Sequence, residues 1–182
     1  MHAGHTPVRG NHEVRSDNPL EEGQFPIPAD VVTIPEILKE AGYATGAFGK
    51  WGLGSMKSCG SPLEQGFDVF YGYADQRHAH NHYPQWLICD TTVVALDNPC
   101  FPVNECIPED SSPSCFEKYR GNDYSLDLMI EEAKSFIGKH KDMPFFVYLP
   151  IIVPHRALQV PDEELALYDG VFEESPYYGA DK

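Results

Sequence analysis

A single lysine stands in a glycine-rich segment at the predicted end of a strand. The segment is GYATGAFGKWGLG, residues 42–54, and Lys50 is its one charged side chain. The apolar run 43–48 predicts a short buried strand, so Lys50 lies where this strand gives way to a loop in which glycines let a ligand approach the backbone. Because a lysine supplies a positive point charge, the segment is either a turn or an anion-binding site with Trp51 beside it.

A histidine occupies a comparable place further along the chain. His155 lies in PIIVPHRALQVP, where Pro150, Pro154 and Pro161 stiffen the backbone just after an apolar run. Rigid placement is what a general acid, a general base or an oxyanion donor needs. The alternative is a histidine that only caps or packs.

Three further histidines alternate in RHAHNH. On an extended segment His78, His80 and His82 would point the same way and could form a transition-metal site. Three ligands from one strand at this spacing are rare in metal sites, so we prefer the interpretation that one of them lines a pocket beside Arg77. His2, His5 and His12 have no decisive spacing and are interpreted as solvated loop histidines.

The first element that positions these residues is a helix in TIPEILKEAG. Thr33 and Glu36 have the spacing of a capping box, Pro35 suits the first turn, and Gly42 ends the helix. The predicted buried stripe consists of Ile34, Ile37, Leu38 and Ala41. The strand at 43–48 follows after one glycine, as in α/β units.

A second helix-strand unit follows downstream. Asp123 or Ser125 can cap LDLMIEEAKSFIGKH, and FFVYLPIIVPH then reads as a central parallel strand, apolar on both faces in its first half. The predicted apolar stripe of this helix comprises Leu126, Met129, Ile130, Ala133, Phe136 and Ile137. Two such units predict an α/β fold with a mainly parallel sheet sandwiched by helices, whereas residues 1–30 read as a surface loop. Ligands bind at the carboxyl ends of such strands, where Lys50 and His155 lie.

Composition narrows the partners and the compartment. A formal charge of −15 and a pI near 4.7 argue against nucleic acid and an anionic membrane as partners, because the mean field repels phosphates. No apolar run approaches the roughly 18 residues of a membrane span, and no signal-peptide pattern is present. Cys100, Cys106 and Cys115 lie in a Pro- and Ser-rich stretch at about 97–116 that reads as an exposed insertion, which favours an extracytoplasmic location, that is, secreted, periplasmic or lysosomal. The odd count of 5 cysteines leaves one unpaired or paired outside the chain.

Four segments in this order resemble the type I, formylglycine-dependent sulfatases of the alkaline phosphatase superfamily. GYATGAFGKWGLG is similar to the second signature of that family, and MHAGHTPVRGN to the stretch after its nucleophile helix. QGFDVFYGYADQRHAHNHYP resembles an active-site loop, and PFFVYLPIIVPHRALQVP the strand and loop that supply an active-site histidine. The resemblance implies the sulfatase fold and a sulfuric ester hydrolase.

The resemblance also implies roles for individual residues. Lys50 matches the lysine that binds the sulfate group and the formylglycine hydroxyl, and His155 matches the histidine near the leaving-group oxygen. His80 or a neighbour is expected to replace a small polar residue at the same wall. The predicted catalytic residues are therefore Lys50 and His155, and the predicted substrate-binding residues are Lys50, His80, Arg77 and Trp51.

The sequence departs from the family at several points. Gly52 stands where many members have a histidine, and the motif Cys-x-Pro-Ser-Arg and the paired aspartates that hold calcium are absent. We therefore expect residues 1–182 to be a central fragment of a sulfatase catalytic domain, inactive alone, whose Ca²⁺ ligands and formylglycine lie outside this chain.

The predicted substrate is a sulfate ester on a carbohydrate or aryl carrier. A competing hypothesis is a phosphodiesterase or phosphonate hydrolase of the same superfamily, because one lysine does not distinguish sulfate from phosphate. A second competing hypothesis is a non-catalytic relative that binds glycans or a protein, and a third is a transition-metal binder that uses the alternating histidines.

Overall fold

The computed structural model describes residues 13–100, 112–155 and 158–172. The predictions for MHAGHTPVRGN, with its histidines, and for Cys106 lie outside these residues. The prediction of a plain loop over residues 1–30 is wrong for part of its length, because Glu13–Val14 (β1) pairs antiparallel with Gly23–Gln24 (β2).

The remaining elements include two helix-strand units, with three strands and several loops between them. In chain order, the helices and strands are α1 (Ile34–Glu40), β3 (Ala44–Lys50), β4 (Val69–Tyr73), β5 (Trp86–Cys89), β6 (Thr92–Ala95), α2 (Ser125–His140), β7 (Phe145–Tyr148) and α3 (Asp162–Ala166). Two 3₁₀ turns cover His78–His80 and Pro113–Tyr119.

A five-stranded mixed sheet carries the fold, in the order β6-β5-β4-β3-β7. Strand β3 pairs parallel with both β4 and β7, which confirms the predicted parallel arrangement of the two units. Strands β5 and β6 add to β4 as an antiparallel hairpin, and the sequence analysis did not predict this hairpin. The sheet is therefore α/β in its centre and antiparallel at one edge.

The two faces of the sheet are covered differently. Helix α2 covers one face, where Met129 and Phe136 pack against Phe48 and Tyr73. The coil after β3 covers the other face, where Trp51 and other residues of the coil join a second core cluster comprising Ala47, Met56, Phe67, Phe70, Ala74 and Ile88. The predicted sandwich thus has a helix on one face and mainly coil on the other.

Helix α1 begins as predicted but does not bury the predicted stripe. The Thr33 backbone N–H donates to Glu36 Oε2 at 2.6 Å, which confirms the capping box. Ile34 and Ile37 are nevertheless 44% and 57% exposed, and the buried residue of this helix is Pro35. The periodicity identified an apolar face, of which Leu38 is half-buried while Ile34 and Ile37 stay exposed.

Helix α2 keeps its predicted face and loses its predicted cap. Met129, Ala133 and Phe136 are buried, whereas Ile137 is 39% exposed. The N-cap residue is Tyr124 without a side-chain hydrogen bond, so the predicted caps are wrong. Asp123 Oδ2 instead accepts the Asp97 backbone N–H at 2.7 Å, which ties this end of the helix to the start of the insertion.

Strand β7 lies at an edge of the sheet as far as the described residues extend, although its sequence is typical of a central strand. Its first three residues are half-buried, and Tyr148 is 42% exposed. Apolar composition indicates that a strand can be covered on both faces. Whether it is covered depends on which other elements pack against it.

The insertion is anchored at its base. Asn98 is 9% exposed; its Nδ2 donates to the carbonyls of Pro84 and Asp123, and its Oδ1 accepts the Asn122 and Asp123 N–H groups. Cys59, Cys89, Cys100 and Cys115 are free thiols, so the cysteines in the described part of the chain do not pair with one another. Across the described residues, no helix is both long and apolar enough to cross a membrane.

One glycine position in the sheet is expected to tolerate no side chain. Gly72 has φ = +150° and faces Gly49 across the β3–β4 pair, and a Cβ there would meet the Gly49 backbone C and N atoms at 2.8 Å. We expect Gly72→Ala to lower the free energy of unfolding by at least about 2 kcal/mol, because neither backbone can yield.

The matched control for this substitution is Gly138 in α2, where an added Cβ meets nothing within 4 Å. Gly138→Ala should raise the free energy of unfolding by about 0.5–1 kcal/mol, because alanine restricts the unfolded chain and favours helix. Urea denaturation of both variants measures the difference. Equal stabilities would contradict the close approach of β3 and β4.

Candidate active site

The ends of three strands meet at one edge of the sheet. Lys50 is the last residue of β3, and its backbone N–H donates to the Pro150 carbonyl at 3.0 Å in the loop that follows β7. On the other side, the Trp51 N–H donates to the Tyr73 carbonyl at 2.8 Å, where β4 ends. The predicted convergence of the Lys50 loop and the His155 loop at the carboxyl ends of parallel strands is therefore present.

The Lys50 ammonium lies in a partly desolvated place. Burial lowers the pKa of Lys50 below its ordinary value, and the negative charge of Asp75 opposes this shift. Asp75 is 7% exposed and comes two residues after the end of β4. A half-buried cation beside one carboxylate keeps hydrogen-bonding capacity for an anionic ligand.

Asp75 also shapes the histidine-bearing segment. Its Oδ1 accepts the Arg77 N–H at 3.1 Å, its Oδ2 accepts the His78 N–H at 3.3 Å, and Gln24 Nε2 donates to Oδ1 at 2.7 Å. These bonds stabilise the 3₁₀ turn His78–His80 in the way that a capping carboxylate stabilises a helix start. The segment is therefore not extended, and an extended backbone was the condition under which the three imidazoles would point the same way.

Because the segment turns, its three histidines go to three different places. The His78 ring stacks on Trp86 with a centroid distance of 4.4 Å and meets Tyr73 edge-on at 5.1 Å. The His80 ring stacks on His155 at 4.5 Å. Within the described ranges, no group of three His, Cys, Asp or Glu residues could hold a metal ion, so the alternating histidines do not form a shared site.

His82 lies beneath the His80–His155 pair and holds the loop after β7. It is 1% exposed; its N–H donates to Gln159 Oε1 at 2.8 Å, and its Nδ1 lies 3.1 Å from the Gln159 carbonyl oxygen. A carbonyl only accepts, so Nδ1 carries the proton. Burial lowers the pKa of His82, as do the nearby His155 and His80, while the bond to Gln159 opposes the shift. His82 is thus a neutral structural residue.

Gln159 fixes the segment that follows His155. It is 8% exposed, its Nε2 donates to the Tyr119 carbonyl at 2.8 Å, and its carbonyl accepts the Tyr124 hydroxyl at 3.2 Å. His155 itself is exposed, and its N–H donates to the Ile152 carbonyl at 2.9 Å. The His155 imidazole is thus exposed, stacks on His80 and precedes an anchored segment, so its position is defined.

The two other predicted site residues, Trp51 and Arg77, differ in their placement. Trp51 is 9% exposed, its Nε1 donates to the Gly60 carbonyl at 2.7 Å, and its ring meets Phe67 edge-on at 5.8 Å. This placement gives Trp51 a packing role beneath the loop. Arg77 is exposed on the same turn as His80, so it stays a candidate for the rim of the site.

The structure adds residues that the sequence reasoning missed. Gln24 lies in a segment without periodicity, and no sequence signal could have placed it 2.7 Å from Asp75. Asp75 could have been found, because a carboxylate just beyond a strand end is a common position for a functional residue. Gln159 gave no signal beyond its nearness to His155.

The buried His78 predicts a pH dependence of stability. Burial lowers the pKa of His78 from 6.5 to about 4, with Asp75 opposing the shift. The unfolded state therefore binds more protons between about pH 4 and pH 6.5, so stability is full above this window and falls as the pH decreases through it. We expect His78 to account for a loss of about 3 kcal/mol from about pH 7 to about pH 4.

The variant His78→Phe keeps a ring between Trp86 and Tyr73 but cannot titrate. Its unfolding free energy, measured by urea denaturation at several pH values, should depend on pH less steeply than that of the wild type. Parallel curves for the two proteins would show that His78 is not the group responsible.

Comparison with known proteins gives a consistent picture. A sequence model of the family described as Sulfatase matches residues 5–177. A Schizosaccharomyces pombe protein described as an uncharacterized sulfatase is 30% identical over 146 residues, which are 80% of this chain and 25% of that protein. The N-acetylgalactosamine-6-sulfatase of Canis lupus familiaris is 27% identical over 165 residues, 84% of this chain and 28% of that protein.

The solved structures agree at the level of the fold. The structure of Ps i-CgsB in complex with k-i-k-neocarrahexaose superposes with a TM-score of 0.60 at 24% identity, over 86% of this chain and 34% of that one. The chain thus spans about a quarter to a third of the length of the proteins it resembles.

Proposed function

Because the chain belongs to the sulfatase family, we propose that the protein containing it hydrolyses sulfuric esters and that its substrates are sulfated carbohydrates. The observation that carries this proposal is the meeting of the β3 and β7 ends, which places the half-buried Lys50 beside the loop of His155. Lys50 brings a cation to this place in a chain whose formal charge is −15, and an anionic substrate needs such a local cation.

In this proposal Lys50 binds a sulfate oxygen. Its partial burial strengthens the attraction, and Asp75 keeps the ammonium charged. His155 lies at the leaving-group side and supplies a proton to the bridging oxygen as the S–O bond breaks, while the stacked His80 holds its ring. Both effects act on charge that develops during ester cleavage.

The family resemblance implies a calcium ion and a formylglycine, which together supply the nucleophile. The described residues do not fit the ion, because they contain no group of three ligating side chains that could hold it. The sequence contains no Cys-x-Pro-Ser-Arg segment. We therefore propose that residues 1–182 are inactive by themselves, as one part of a sulfatase catalytic domain.

Two lines support the substrate class and the compartment. One relative is named as an N-acetylgalactosamine-6-sulfatase, which favours a carbohydrate carrier over a simple aryl one. An extracytoplasmic location is proposed from the cysteine-rich insertion alone. The four described cysteines are free thiols and add no disulfide to that argument.

The test is an activity assay on the protein that contains this chain. It would be given an aryl sulfate, sulfated monosaccharides and, at equal concentration, an aryl phosphate monoester, a phosphodiester and a phosphonate ester. Higher kcat/KM on the sulfates supports the proposal. Preference for a phosphorus ester would establish the rival hydrolase, and binding of sulfated sugars without turnover would establish a non-catalytic relative.

A further inference from the structure

The space beside Gly52 is occupied by a side chain from another loop. Gly52 lies two residues after Lys50 with φ = +90°, and a Cβ built there would lie 2.6 Å from Gln76 Cγ and 2.9 Å from Gln76 Cδ. The Gln76 Nε2 atom is closer still to that position. A side chain at position 52 and the present placement of Gln76 therefore exclude each other.

A hydrogen bond from its backbone fixes the position of Gln76. Its backbone N–H donates to Gln24 Oε1 at 3.0 Å, and Gln24 in turn donates to Asp75, the carboxylate that acts on Lys50. Gln24 is 2% exposed, so this support is rigid. The Gly52 N–H donates to the Ala74 carbonyl at 3.2 Å and keeps the two loops in register.

The carboxamide itself is available. Gln76 is half-buried, and no side-chain hydrogen bond of Gln76 occurs within the described part of the chain. A glutamine that only filled space next to Gly52 would not need the hydrogen bonds through Gln24 to Asp75. A carboxamide offers two N–H donors and no charge, and a donor to an anionic oxygen forms a strong, charge-assisted bond.

We infer that Gln76 is a substrate-binding residue, whose Nε2 donates a hydrogen bond to an oxygen of the sulfate group that Lys50 holds. The inference rests on the proposed function and adds to it a neutral donor in the side-chain space of position 52. Because a carboxamide does not titrate, this contact is the same at every working pH. Binding of the sulfate group then combines one cation and one neutral donor.

The experiment uses the protein that contains this chain with Gln76→Ala, Gln76→Met and Gln76→Glu. Gln85→Ala is the matched control, because Gln85 is an exposed glutamine just before β5. We expect Gln76→Ala and Gln76→Met each to lower kcat/KM for an aryl sulfate roughly 10- to 100-fold and to weaken the binding of inorganic sulfate in calorimetry. Gln85→Ala should change neither quantity.

The glutamate variant gives a readout that a packing role would not move. A carboxylate repels sulfate, whereas a protonated carboxyl group can donate a hydrogen bond. The kcat/KM of Gln76→Glu relative to wild type should therefore rise as the pH is lowered through the pKa of the introduced carboxyl group. An unchanged pH profile overturns the inference.

The remaining outcomes separate the inference from the proposed function. Full activity of Gln76→Met alongside a loss in Gln76→Ala would show that Gln76 only packs. A wild-type protein that binds inorganic sulfate but hydrolyses no sulfate ester refutes the proposed function. In that case, weaker sulfate binding by Gln76→Ala supports the inference, and unchanged binding refutes it. A wild-type protein that neither binds sulfate nor hydrolyses the ester refutes both.

Discussion

Replacement of Lys50 by methionine is expected to lower kcat/KM for sulfate esters by roughly 10²- to 10³-fold in the protein that contains this chain. The ammonium is half-buried beside the Asp75 carboxylate, so its removal takes away the cation at the end of β3. Methionine has a similar length and does not carry the charge. Both KM and kcat should change for the worse, since in the proposed role Lys50 binds the sulfate group in the ground state and in the transition state.

The matched control is Lys57→Met, which removes an exposed lysine from the same loop. It should leave kcat/KM within about twofold of wild type, because an exposed charge is screened by solvent. Thermal unfolding of both variants shows whether the fold is intact. Since burial already disfavours the Lys50 charge, Lys50→Met should not be less stable than wild type. A folded Lys50→Met protein with wild-type kcat/KM would refute the role of Lys50.

The helix-strand units were predictable because their signals are local. The Thr33–Glu36 capping box and the apolar spacing of Met129, Ala133 and Phe136 act within a few residues of chain. The burial of a side chain, by contrast, depends on residues that are distant in the sequence. Ile34 has the spacing of a core residue but is 44% exposed, because exposure depends on which elements pack over the helix.

The parts of the site that could be predicted are those whose positions follow from the direction of the strands. Once β3 and β7 are parallel, Lys50 and His155 must emerge at the same edge of the sheet, and the structure has this arrangement. The path of the histidine segment depends on Asp75 and Gln24, which contact it from other parts of the chain. The period-two spacing of the histidines would align their side chains only on an extended segment, whereas capping by Asp75 makes this segment a turn.

The contribution of His155 should depend on the leaving group of the substrate. An exposed imidazole at the leaving-group side lowers the barrier by giving a proton to the bridging oxygen as negative charge builds on it. A sugar alkoxide is strongly basic and needs this proton. A nitrophenolate is weakly basic and departs without it.

His155→Ala is therefore expected to lower kcat/KM for a sugar sulfate roughly 10²- to 10⁴-fold and for a nitrophenyl sulfate less than about 10-fold.

The matched control is His140→Ala. His140 lies at the carboxyl end of α2, and so near the opposite ends of the strands, where its Nδ1 is 2.9 Å from the Phe136 carbonyl oxygen. The His140→Ala substitution should change kcat/KM only slightly, and by the same factor for both substrates. Paired kinetics on the two substrates measure the difference. Equal losses in His155→Ala would mean that this side chain binds or orients the ester instead of protonating it, because only proton transfer depends on the basicity of the departing oxygen.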